Sequence, residues 1–149
     1  MQLLRAVWSF GSSIAEMVHL WKIYCVSVLE QSCVVWGSSL TQENIEDLER
    51  TQKTFAKLIL RDKYVDYESA LQKLNLETLA QRRKELALRF AKSSIENHKL
   101  DEFFIRKNSK NIVKIRKPAP YRTTKAHTES FRKSSIIHMQ ELLNNEITQ

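Results

Sequence analysis

Apolar residues at Ile14, Met17, Trp21, Tyr24, Val28 and Val35 recur at spacings close to a helical repeat. That pattern predicts a helix from Ile14 to Trp36 with one continuous apolar face. Leu20, Ile23, Leu29, Val34 and Trp36 lie on its other faces, so the helix is expected to be buried on several sides. Glu16, Lys22 and Glu30 cut it into runs far too short to cross a bilayer, and no membrane contact is expected. Gly37 stands where a left-handed residue would close the helix. A second helix is predicted over Gln42–Leu60. Thr41 is placed to cap it, and Leu40 and Ile45 have the spacing of a hydrophobic staple. Glu43, Glu46 and Asp47 favour its positive end, and Lys53, Lys57 and Arg61 its negative end. Its apolar stripe is Ile45, Leu48, Phe55 and Ile59, with Gln52 in the middle. The pair is expected to form an antiparallel hairpin.

Met1 to Phe10 reads as a short helix with a packing partner expected upstream, ended by Gly11-Ser12-Ser13, where Ser13 is a candidate cap. Arg61 to Asp66 is a connector and Tyr67–Leu74 a short helix with Tyr67, Ala70, Leu71 and Leu74 on one face. Thr78 and Gln81 match a capping box that opens a long helix to about Asn97, with Leu79, Leu86, Ala87, Phe90 and Ala91 as its buried stripe. Leu100 to Ile105 is expected to turn Phe103 and Phe104 into the core. Residues 111–117 alternate apolar and basic and are expected to be extended, with Pro118 and Pro120 after them. A last helix is predicted from Glu129 to Asn144, with Phe131, Ser135, Met139 and Leu142 in line. The fold class is therefore all-α: a helical hairpin or bundle over residues 1–105, followed by a basic, partly extended segment over 106–149 with a C-terminal helix.

Charge sharpens that division. Of 149 residues with a net charge of +7, Met1 to Leu60 holds five basic and six acidic residues. Arg106 to Lys133 holds ten basic residues and one acidic, Glu129. The ten are Arg106, Lys107, Lys110, Lys114, Arg116, Lys117, Arg122, Lys125, Arg132 and Lys133. Such asymmetry points to a polyanion, nucleic acid above all, and the alternative is a solubilising tail. Arg82 and Arg83 extend the candidate phosphate contacts onto the long helix. For that helix the competing reading is a solvated face or pairing with Glu46 and Glu49.

Little else in the sequence carries chemistry. Cys25 and Cys33 are eight residues apart on one predicted helix, about 12 Å of rise, so no disulfide between them is expected. They read as inert core thiols in a reducing, intracellular setting, and no secretory signal is recognisable. The four aspartates, Asp47, Asp62, Asp66 and Asp101, are scattered, as are His19, His98, His127 and His138. No phosphate loop, zinc-protease or nucleophile-elbow motif occurs. No catalytic residue, metal or cofactor is expected, and the chain alone is not expected to be an enzyme.

Leu20-Trp21-Lys22-Ile23-Tyr24, Ser27-Val28-Leu29-Glu30 and Val35-Trp36 resemble the segment that follows the polymerase domain in non-LTR (LINE-type) retrotransposon reverse transcriptases. So do Ser39-Leu40-Thr41, Leu48 to Lys53, Lys57 to Leu60, Tyr67, Ala70-Leu71, Leu74 to Leu79, Arg82-Arg83 and Phe90-Ala91-Lys92. Arg132 to Ile136 and Met139-Gln140 resemble it more loosely. The resemblance runs in the family's order over nearly the whole chain, although no single piece is specific. It implies a helical, thumb-like region C-terminal to the palm of an RNA-directed DNA polymerase. The adjacent aspartate pair of that palm is absent here, so a fragment is implied, with the fingers and palm as a partner. What the resemblance leaves to such a fragment is a grip on template–primer phosphates without base specificity. The alternatives are a helical protein-interaction module that uses Trp8, Trp21 and Trp36, and a retroelement relic without function.

Overall fold

The computed structural model describes residues 2–98, 100, 102–106 and 120–148. Its helices are α1 (Gln2–Ser9), α2 (Ile14–Leu20), α3 (Ser27–Leu29), α4 (Cys33–Trp36), α5 (Gln42–Leu60), α6 (Tyr67–Leu74), α7 (Leu79–Glu96), α8 (Glu129–Arg132) and α9 (Ser135–Thr148). Among the described residues there is no strand, only an isolated antiparallel bridge between Arg106 and Tyr121. The fold is all-α. No helix among these residues is long and apolar enough to cross a membrane.

The described chain forms two compact units. The first takes residues up to Ser32 together with Leu40–Arg83, and the second takes Cys33–Ser39 and residues from Lys84 onward. The boundary between them falls within α7, between Arg83 and Lys84.

In the first unit, Leu4, Met17, Trp21, Val26, Phe55, Ala56, Ile59, Leu60, Ala70, Leu74 and Leu79 form one core. Trp21 stacks on Phe55 at 4.4 Å between ring centroids, and both are fully buried. The caps follow from side-chain chemistry. Ser13 and Glu16 make a reciprocal capping box on α2, and Thr41 Oγ1 accepts from the Asn44 amide on α5. Asp66 caps α6, and Asn75 closes it in the left-handed region, with the Leu76 amide reaching back to the Leu71 carbonyl at 2.9 Å. Thr78 Oγ1 accepts from the Gln81 amide at the start of α7.

The predicted Ile14–Trp36 helix is corrected in three ways. A π-turn at Trp21–Val26 links α2 to α3, helical structure then breaks at residues 30–32, and α4 follows separately. Ser32 carries the positive φ, +55°, at this break, while Gly37 sits in a 3-10 turn; Gly11 is the left-handed glycine, at φ +86°. The i→i+5 bonding of a π-turn adds a residue to the local repeat. The buried series consequently runs Met17, Trp21, Val26, whereas Tyr24, Val28 and Val35 are 62%, 68% and 71% exposed.

In the second unit Ala87 and Ala91 of α7 pack with Phe104, Tyr121, Met139, Leu142 and Leu143. Phe90, predicted in the buried stripe, lies outward, because the buried positions of α7 are Leu79, Arg83, Ala87, Ala91 and Ser94. The predicted last helix is split at Lys133-Ser134 into α8 and α9, and Phe131 is exposed. Ser38 Oγ donates to the Lys133 carbonyl at 2.8 Å, so the 33–39 segment is tied to this helical pair.

Candidate nucleic-acid interface

The candidate cations have separate fates. Arg82 forms a fork with Glu30: Nε to Oε1 is 2.6 Å and Nη2 to Oε2 is 3.0 Å. The Glu30 side chain is only 10% exposed, so this is a partly desolvated bidentate pair. The acidic partner is therefore Glu30, and not the expected Glu46 or Glu49. Glu49 instead accepts from the Tyr67 hydroxyl at 2.5 Å and the Ala80 amide at 2.9 Å. Arg83 is 6% exposed, with its Nη1 buried and unbonded among the described residues. Arg83 is thus buried, and the Arg82 guanidinium is engaged by Glu30 although its side chain is 36% exposed. Lys107, Lys110, Lys114, Arg116 and Lys117 lie outside the described residues.

The remaining candidates belong to the second unit. Arg132 and Lys133 are exposed but face Glu129 at 3.5 and 4.0 Å. Arg106, Arg122 and Lys125 are exposed on two short segments, residues 102–106 and 120–125, that run side by side. The Arg122 amide donates to the Ile105 carbonyl at 3.0 Å, and the Arg106 guanidinium lies 5.8 Å from the Tyr121 ring centre. Arg122 and Lys125 have no carboxylate within ion-pair distance among the described residues.

Two amides of α9 hold this pair of segments in place. Gln140, 1% exposed, donates from Nε2 to the Phe103 carbonyl at 2.6 Å and to Thr124 Oγ1 at 3.2 Å, and its Oε1 accepts from the Thr124 amide at 2.9 Å. One turn later Asn144 accepts from the Tyr121 amide at 2.9 Å and donates to the Tyr121 carbonyl at 3.2 Å. These bonds give the non-helical backbone the partners that helical bonding would supply elsewhere. Between the segments lies a cleft of about 260 Å³ lined by Glu102, Phe103, Ile105, Arg122, Thr124 and Lys125. A second cleft, about 230 Å³, runs past Lys22, Asn75 and Arg82 in the first unit, and both its cations are engaged: Lys22 Nζ donates to the Asn75 carbonyl, and Arg82 to Glu30.

Arg106, Arg122 and Lys125 stand out in the sequence by their charge, whereas the amides that position their segments do not. The signal was the pair Gln140 and Asn144, an i,i+4 spacing of two amides inside an otherwise apolar stripe. Trp21, expected as part of an interaction surface, is fully buried instead. No family model, curated protein or solved structure matches this chain.

Proposed function

We propose that this chain is a thumb-like, post-palm region of a non-LTR retrotransposon reverse transcriptase that holds nucleic acid by its backbone. The palm of such a polymerase is its proposed protein partner. The ordered resemblance motivates the reading, and one observation supports it. Arg106, Arg122 and Lys125 stand exposed on segments that buried amides hold in place, with Arg122 and Lys125 unneutralised by any described carboxylate. A cation with no internal partner gains most from a phosphate, whereas one already forked to a carboxylate must first give that bond up.

Titration with duplex DNA and RNA–DNA hybrid at several salt concentrations tests this. Each phosphate neutralised contributes about −0.9 to the slope of log K against log salt on B-form duplex. Replacing Arg122 and Lys125 by alanine should make the slope shallower by about 1–2, and replacing Lys114, Arg116 and Lys117 by up to about 2–3. Arg82→Ala should leave the slope unchanged, because Glu30 already holds that guanidinium. The losses should be alike across unrelated sequences, since phosphate contacts carry no base information. Salt-insensitive binding, or none at low ionic strength, would refute the reading.

A second reading, a helical protein-interaction module, has its own observation. Leu3, Phe10, Tyr24 and Val28 of the first unit are 67%, 88%, 62% and 68% exposed, an apolar content that marks contact surfaces when it is contiguous. Failure of the salt titration would leave this reading in place.

A further inference from the structure

We infer that the cleft between residues 102–106 and 120–125 is a subsite for one unpaired nucleotide of a single strand. This rests on the nucleic-acid reading above and deepens it, since backbone binding alone needs no cleft. Three features of the cleft carry the inference.

The first is its lining. Phe103 and Ile105 are 36% and 52% exposed, so an aromatic ring and an aliphatic side chain form an open apolar wall. Arg122 and Lys125 stand on the other segment and can take the phosphate of a nucleotide whose base lies on that wall. Thr124 adds a hydroxyl to the lining and Glu102 a carboxylate, an acceptor for the amino groups of a base and not for its phosphate. Stacking on an aromatic ring beside a cationic groove is the usual chemistry of single-strand binding.

The second is size. At about 260 Å³ the cleft falls just under the roughly 300–1,000 Å³ of drug-sized ligand pockets. It suits one base and its phosphate. A duplex keeps its bases stacked inside and can lay only its backbone across the rim, so it cannot use the apolar wall.

The third is preorganisation. Gln140 bonds to both walls at once, to the Phe103 carbonyl and to Thr124, and the Arg122 amide joins them again at Ile105. The cleft is thus built before any ligand arrives, which lowers the ordering cost of binding.

The test uses the full chain with labelled single-stranded RNA and DNA of about 12 nucleotides, a length within the span of one binding module, and a blunt duplex of the same length. At fixed salt both single strands should bind more tightly than the duplex. Phe103→Leu keeps apolar volume but removes the ring, and it should weaken single-strand binding about fivefold while leaving duplex binding unchanged. Phe103→Trp should retain single-strand binding. The RNA and DNA arms tell which strand the site prefers, because the stacking and phosphate contacts are common to both. Thermal unfolding of each variant monitors the fold, and Ile105→Ser replaces Phe103→Leu if that variant proves unfolded. Equal affinity for single strand and duplex, with no effect of either variant, would overturn the inference and leave the backbone reading standing. Absence of binding to every nucleic acid at low salt would remove both.

Discussion

His138 lies half-buried in α9, where burial pulls its imidazole below the ordinary histidine pKa. Lys84 adds to the depression and Glu141 opposes it. The unfolded chain, with a pKa near 6.5, binds the proton more readily than the folded one. Stability from this residue is therefore complete above about pH 6.5 and is lost as pH falls through the folded value. The thermal midpoint should be lower at pH 5 than at pH 7.5, and His138→Gln should reduce the difference. An unchanged pH dependence in that variant would assign the acid sensitivity elsewhere. Burial acts on other single groups too. It raises the Cys25 thiol, which favours the protonated form. It also raises the Tyr67 hydroxyl, a shift increased by the hydrogen bond to Glu49.

Helix ends were far easier to read than helix faces. Thr41, Ser13 and Thr78 were recognisable as caps because a short side chain satisfies an amide two or three residues away, a contact that depends on sequence distance alone. The bounds of α5 and α6 coincide with those expected, Gln42–Leu60 and Tyr67–Leu74. Beyond Trp21 the buried face of the α2–α3 segment departs from the sequence pattern, because the π-turn shifts the register and no local residue type announces such a turn. The Trp21–Phe55 stack lies at the start of that turn. Phe55→Ala should cost roughly 3–5 kcal/mol, as expected for deleting a fully buried aromatic. Urea unfolding of the variant measures this, and a loss under about 1 kcal/mol would show that the stack is not central to the core.

Over the whole molecule, the charge asymmetry from Arg106 to Lys133 is the strongest functional signal. Five of the candidate residues, Lys107, Lys110, Lys114, Arg116 and Lys117, fall outside the described structure, so their part in binding rests on sequence and on the salt titration. Catalysis is tested separately. Two-metal phosphoryl transfer needs clustered carboxylates, and the four aspartates stand at positions 47, 62, 66 and 101. With primed template, magnesium and deoxynucleotides, the purified chain should extend no primer. Extension that survives purification would contradict the proposal that this region lacks the polymerase centre.

The all-α class, the caps, most helix limits and the concentration of cations followed from the sequence by itself, because each depends on neighbours within a few residues or on composition. Tertiary structure alone decided which cations are occupied. Arg82 meets Glu30 across 52 positions, and no local pattern selects that partner over Glu46 or Glu49. It also decided that Ala87, Ala91 and Phe104 share a core with Met139, Leu142 and Leu143. The cleft at Phe103 and Arg122 arises in the same way. Gln140 reaches 37 residues back to the Phe103 carbonyl and 16 back to Thr124, and contacts at such separations carry a loop-closure cost that no local pattern offsets.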